Sequence, residues 1–322
     1  MGRVNGIDVA AQRRYKRRNA AQALLLLGGM VGMAALCAWV LAGLPGVWWV
    51  AVLGLVALAL RPSLPSAWVL RMYGARALPP GAAPELHQVV RALSARAELP
   101  AVPQLHYVAS SMLNAFAVGR RHDAAIGVTD GLLRCLTGRE LAGVLAHEIS
   151  HVRADDLWIM TLADTVSRVS HALSYAGLIL VVLGLPVLTA TGAGDLLIVA
   201  LALTVTPTVV TLLQLALSRS REYDADLEAA RLTGDPEGLA RALRKLERVE
   251  GGIWERILVP HRRPPDPLLL RTHPPTDRRV ERLLALSAAR RPDVALPDVL
   301  HAPGGYPRVG AAPRLRPPGV WR

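Results

Sequence analysis

The chain has 322 residues, 52% of them hydrophobic and only 19% charged, with positive mean hydropathy. A soluble domain carries about 25% charge, so this composition excludes a wholly soluble protein and puts part of the chain in lipid. Its two cysteines, Cys37 and Cys135, exclude a disulfide framework and a cysteine-built metal site, while a net charge of +12 suits either nucleic acid or a membrane protein with its positive side inside.

Residues 1–20 hold the cluster Arg13-Arg14-Tyr15-Lys16-Arg17-Arg18 and read as a basic cytoplasmic N-terminus. From Asn19 to Leu60 there are 42 positions without a charge, room for two spans of ~20 residues each. Gly43-Leu44-Pro45-Gly46 supplies a turn between them, with Trp39, Trp48 and Trp49 as interfacial aromatics. A first transmembrane hairpin is therefore expected over 21–60. Its apolar run is too long for a cleaved signal peptide and has no A-x-A site, which fits a signal anchor.

Residues 61–171 read as the first part of a soluble domain. Leu86, Val89, Val90 and Leu93 recur at i, i+3, i+4 and i+7, predicting an amphipathic helix over Pro84–Leu99. Strands are expected at Gln104–Val108, Asn114–Val118 and Ala124–Val128, the last two joined by a polar turn. Thr137-Gly138-Arg139-Glu140 is a capping box that launches a helix running past His151. Asp155 and Asp156 could act near the site, but at the C-terminal end of a helix they read most simply as solvated residues.

Between Ala172 and Ser218 the only charge is Asp195, so a second hairpin over 172–217 is expected, with spans Ala172–Ala190 and Leu196–Leu217. Lysine and arginine are absent from both hairpin turns and dense elsewhere. Both hairpins thus dip in from the same side, which accounts for the charge without nucleic acid and puts the soluble parts in the cytoplasm of a multi-pass inner-membrane protein. Residues 218–291 form the second soluble part. Helices are expected at Arg219–Leu232, after the cap Asp235-Pro236-Glu237 (with Leu239, Leu243 and Leu246), and at Thr276–Arg290. The tail, 292–322, is rich in Pro, Gly and Arg and reads as disordered.

Chemistry concentrates in His147-Glu148-Ile149-Ser150-His151, an H-E-x-x-H on the capped helix. One turn separates the histidines, so both imidazoles leave one face and can bind a single Zn²⁺ per chain. Glu148 can hold the attacking water, take its proton and pass it to the leaving amine. A metzincin pattern requires Gly at 154 and His at 157, where this chain has Ala154 and Leu157. Glu222-x-x-x-Asp226 instead matches a thermolysin-like pattern. Glu222 is the third ligand in that reading, and Asp226 orients a ligating histidine, His147, through its free ring nitrogen. On its own such a pair is common on charged helix faces; the H-E-x-x-H gives it meaning. The other histidines, His87, His106, His122, His171, His261 and His301, lack ligand spacing and read as surface or core residues. Arg219 and Arg221, at a membrane exit, are expected to meet anionic head groups.

These motifs resemble the HtpX membrane proteases, relatives of the type I CAAX prenyl proteases. The resemblance covers about residues 80–290 and rests on Asn114-Ala115-Phe116, Leu145-Ala146-His147-Glu148-Ile149-Ser150-His151-Val152, Ser220-Arg221-Glu222-Tyr223-Asp224-Ala225-Asp226 and Thr272-His273-Pro274-Pro275. It implies a mainly α membrane protein: four transmembrane helices and a cytoplasmic gluzincin-type α+β peptidase domain with a small sheet. It further implies that Asn114, Ala115 and Phe116 bind substrate backbone by β-addition, and that His273 stabilises the oxyanion, although His273 before two prolines reads locally as a turn residue. The implied substrates are misfolded or membrane-associated proteins. Two alternatives are a prenyl-protein processing peptidase, whose relatives carry more spans, and a silent membrane scaffold, which predicts a broken ligand set where His147, Glu148, His151 and Glu222 are intact.

Overall fold

The chain separates by composition into long apolar helices and an α+β unit, and the computed structural model describes residues 3–4, 7–60, 66–191, 195–258 and 276–287. A two-residue ribbon, β1 (Arg3–Val4) against β2 (Ile7–Asp8), leads into α1 (Val9–Leu60). Helix α1 starts ahead of the apolar run, so the basic cluster of residues 13–18 lies on the same helix. It breaks at Gly43, whose φ of 63° and ψ of −152° suit glycine alone. A Cβ on Gly46 would stand 2.3 Å from the Ala38 carbonyl oxygen. Eight residues along a straight helix would separate such groups by about 12 Å, so the chain doubles back here, at the turn expected from Gly43-Leu44-Pro45-Gly46.

Helix α2 (Ser66–Met72) and the short strand β3 (Arg76–Ala77) lead to α3 (Pro84–Arg96), whose Leu86, Val89, Val90 and Leu93 are all buried as the periodicity requires. Strands β4 (Gln104–Val108), β5 (Ala115–Val118) and β6 (Ala125–Thr129) follow, then α4 (Asp130–Cys135). The four-stranded sheet has the order β3-β4-β6-β5, with β4 parallel to β6 and the other pairs antiparallel, which leaves β5 at an edge.

Helix α5 (Gly138–Ala154) carries the H-E-x-x-H and runs through the core, with Leu141, Leu145 and Ile149 fully buried. Its N-terminus is held as the capping box predicts, the Thr137 N–H donating to Glu140 Oε2 at 2.8 Å. Lys245 neutralises the buried Glu140 at 2.7 Å. Asp155 then takes a left-handed conformation, φ 58° and ψ 29°, and ends the helix.

Helices α6 (Asp156–Thr191) and α7 (Asp195–Thr233) replace what the sequence divides into spans and separate soluble helices. Among the described residues, Ala21–Val56, Trp158–Gly184 and Val199–Thr233 are long and apolar enough to cross a membrane. In lipid, packing depends on close approach rather than on burial of oily side chains. Helix α6 accordingly turns Ala163, Ser167, Ser170 and Ser174 inward while Ile179, Leu180, Val182 and Leu183 face out. Ser174 Oγ lies 3.7 Å from Cys37 Sγ on α1.

Helix α8 (Pro236–Leu258) is capped by Asp235, which accepts from the Gly238 N–H at 3.1 Å, and it crosses α5 at Gly143. A Cβ at Gly143 would meet Leu239 Cα at 2.9 Å, so only glycine permits this approach. Helix α9 (Thr276–Ser287) closes the core with Val280 and Leu283. The expected tail, 292–322, and His273 lie outside the described residues.

Candidate active site

Two histidines one turn apart on a buried helix face have little freedom, and α5 aims both at one point. His147 Nε2 and His151 Nε2 are 3.2 Å apart, with the rings edge to face at 88°. Helix α7 delivers Glu222, whose Oε2 lies 3.4 Å from His147 Nε2 and whose Oε1 lies 3.8 Å from His151 Nε2. Tetrahedral zinc, with bonds of 2.0–2.2 Å to nitrogen and oxygen, spaces its ligand atoms about 3.3 Å apart. The three side chains thus converge at the spacing a zinc ion requires, with nitrogen and carboxylate donors that suit it.

The outer ring nitrogens face carboxylates too. His147 Nδ1 lies 3.1 Å from Asp226 Oδ1, and His151 Nδ1 lies 3.1 Å from Asp156 Oδ2. An Nδ1–H donated to a carboxylate leaves the Nε2 lone pair for a metal. Each carboxylate is held in turn by a guanidinium. Arg279 on α9 grips Asp226 with two bonds of 2.7 and 2.6 Å and reaches Glu222 at 3.1 Å. Arg221 on α7 lies 3.4 Å from Asp156 and 3.0 Å from Asp224.

Asp156 and Arg279 are the participants that sequence reasoning missed. Asp156 is not the solvated helix end expected of it; it is 2% exposed. On a continuous helix a residue five past His151 would project well away from its ring, and the left-handed Asp155 is what turns it back. Arg279 could have been flagged only as a basic residue next to Val280 on the buried side of α9. Arg221, expected to meet head groups, turns inward and is 12% exposed.

Glu148, half-buried beside the first histidine, is tied to the sheet: the Ala117 N–H donates to Oε2 at 3.0 Å. Burial raises the Glu148 carboxyl above the usual carboxylate range, and the charge of Glu222 adds to this, against the pull of both histidines and of the Ala117 N–H. Thr129 N–H donates to Asn114 O at 3.1 Å, and Phe116 pairs with Gly127. Alternation along an antiparallel strand then points the backbone groups of Asn114, Phe116 and Val118 into the sheet, and those of Ala115 and Ala117 toward the edge that is open among the described residues. Of the three residues expected to meet substrate, Ala115 thus presents its backbone there. Asn114 is bonded to Thr129, and the Phe116 ring packs against Tyr73 at 4.6 Å.

The field at the cluster is negative. Burial works to lower the pKa of His147, but Asp226 and Glu222 outweigh it and push the imidazole up to about 10. Two buried carboxylates that strong toward a proton offer a divalent cation a better-matched charge. The residues present fit zinc, with His147, His151 and Glu222 as its holders. The remaining described histidines lie elsewhere; His87, for one, bonds the Leu78 carbonyl at 2.8 Å.

The model for Peptidase family M48 matches residues 80–287. A protein named Protease HtpX homolog from Methylibium petroleiphilum is 33% identical over 235 residues, covering 69% of this chain and 81% of that protein. A second of that name, from Burkholderia thailandensis, is 31% identical over 250 residues, covering 70% of this chain and 82% of its own length. The crystal structure of S. mikatae Ste24p shares the fold with a TM-score of 0.50 at 19% identity, covering 87% of this chain and 68% of that one.

Proposed function

Because the chain belongs to peptidase family M48 and is an HtpX-like membrane metalloprotease, we propose that it is a zinc-dependent endopeptidase that cleaves misfolded or membrane-associated proteins at the cytoplasmic face. The observation that carries this reading is the convergence of His147, His151 and Glu222 beside a Glu148 bonded to an open strand edge. When bound, zinc supplies Lewis acidity that polarises the scissile carbonyl and strengthens water as a nucleophile. A substrate strand laid along Ala115 and Ala117 brings its backbone next to Glu148. Glu148 orients the water, accepts its proton as it adds to the carbonyl carbon, and delivers that proton to the departing amine. His273, by family resemblance, donates to the developing oxyanion.

The two arms of α1, reversed at Gly43, supply two of four spans, and α6 and α7 the others. Glu222 stands five residues beyond Leu217, roughly 8 Å along the helix, so catalysis takes place close to the bilayer surface. The distribution of lysine and arginine supports the cytoplasmic side.

The test uses the full chain in detergent, stripped with chelator and reloaded with zinc. Wild type should degrade an unfolded membrane substrate, Glu148→Gln should not while keeping one zinc per chain, and Glu222→Ala should lose the metal. Equal turnover by wild type and Glu148→Gln would sink the mechanism. Cleavage of a prenylated peptide in preference to unfolded protein would favour the processing alternative.

A further inference from the structure

The two metal-ligand histidines need equal orientation, yet family patterns and helix spacing account for only one of their partners. Asp226 follows from the i, i+4 relation to Glu222. The partner of His151 comes from a different element, the first residue of α6. We propose that Asp156 is the positioning residue for the metal ligand His151, held in place by Arg221. This rests on the zinc-site reading above.

Four observations support it. Asp156 Oδ2 is 3.1 Å from His151 Nδ1, matching the 3.1 Å of the Asp226–His147 pair. Its side chain is 3% exposed, so the carboxylate is not a surface group that drifts into range. The left-handed Asp155 breaks the helix between α5 and α6, and this break puts residue 156 beneath the ring it serves. Arg221 approaches the other oxygen, Asp156 Oδ1, at 3.4 Å, which leaves Oδ2 for the imidazole. A buried carboxylate with one oxygen on a guanidinium and one on a ligand's outer nitrogen fixes both ring orientation and tautomer, and raises the basicity of Nε2.

The arrangement also ties the metal to the membrane helices. Asp156 opens α6 and Arg221 lies on α7 beside Glu222, so a shift between these helices reaches His151 and Glu222 together. Asp226, also on α7, and Arg279 on α9 serve His147, and Arg279 reaches Glu222 as well. The two histidines are thus oriented from different sides of the site.

Neutralising Asp156 therefore should weaken metal binding without dismantling the fold. The experiment titrates full-length protein in detergent with zinc against a competing chelator, for wild type, Asp156→Asn, Asp156→Glu and Asp164→Asn. It also records the visible absorption of each protein loaded with cobalt(II), which reports the ligand field and not general stability. Asp156→Asn should bind zinc roughly ten- to a hundredfold more weakly, with a shifted cobalt spectrum. Asp156→Glu, which keeps the carboxylate, should recover part of the affinity. Asp164→Asn removes the same charge from a half-exposed position farther along α6, so its affinity and spectrum should match wild type. Asp156→Asn with wild-type zinc affinity and cobalt spectrum would overturn the proposal alone. So would an Asp164→Asn loss as large as that of Asp156→Asn, since bulk charge would then be the cause. A wild-type chain that takes up no zinc would overturn the zinc-site reading and this proposal with it.

Discussion

Replacing Arg279 by methionine keeps much of the aliphatic stem and removes the guanidinium that Glu222 and Asp226 share. Their side chains are 10% and 6% exposed, so water cannot substitute for the lost cation. Removing one partner of a buried ion pair costs about 3–5 kcal/mol. For a folded unit of 150–250 residues each kcal/mol moves the melting temperature by about 2–4 °C, so metal-free protein should melt ~6–20 °C lower. Bound zinc restores positive charge beside Glu222 and leaves mainly Asp226 uncompensated, so the drop should shrink by roughly half in its presence. Arg279→Lys keeps the charge but not the two-pronged grip on Asp226, and should fall between wild type and Arg279→Met. Circular-dichroism melts in detergent, with chelator and with zinc, read all of this. A metal-free Arg279→Met that melts within about 2 °C of wild type, or a drop that grows on adding zinc, would refute the electrostatic reasoning.

Three further outcomes follow from the same geometry. His147, ordinarily near 6.5 and here pushed up to about 10, gives the metal-free fold a stabilisation that is complete below pH 6.5 and lost as pH rises through about 10. Zinc must displace that proton, so chelator competition should show apparent affinity rising about tenfold per pH unit between about pH 7 and pH 9; a flat profile would count against it. Ala117→Pro puts a ring carbon where an N–H faces away from the sheet toward Glu148, a change the edge strand tolerates but one that displaces the Glu148 carboxylate. It should keep the fold by circular dichroism and lose kcat/KM by at least about 10-fold, the lower worth of a hydrogen bond to a charged group, whereas Phe116→Pro should disrupt the sheet. Finally, in a chain free of its native cysteines, a cysteine at Leu44 should react with an impermeant reagent from the side opposite to one at Lys16; labelling of both from one side would reduce α1 to something other than two spans.

Much of the site was legible because it is local. His147, Glu148 and His151 share a helix face by spacing alone, and Glu222 with Asp226 repeat that logic one turn apart. Capping at Thr137 and the break at Gly43 are equally local, since each depends on a few residues and their backbone preferences. Asp156 was hidden because a single left-handed residue reverses where its side chain goes, and Asp does not announce that conformation as glycine would. Arg279 was hidden because the contact of α9 with α7 is a tertiary fact. The outward-facing register of Ala117 needed the pairing with β6, which sequence alternation leaves free to slip by one residue. The division of α7 into span and soluble helix followed a change in composition at Ser218, but a change of solvent is no reason for a helix to stop.

That continuity has a mechanical consequence. From Thr208 to Thr233 one uninterrupted rod passes from lipid-facing residues to Glu222 and Asp226. A side-chain tip stands about 5–6 Å from the axis of an α-helix, so turning the rod by about 20° sweeps the carboxylate through about 2 Å. Productive sites tolerate about 0.5 Å. In the membrane arrangement proposed above, bilayer thickness and lateral pressure set how such a rod tilts and turns, and so bear on the coordination geometry of the candidate zinc site.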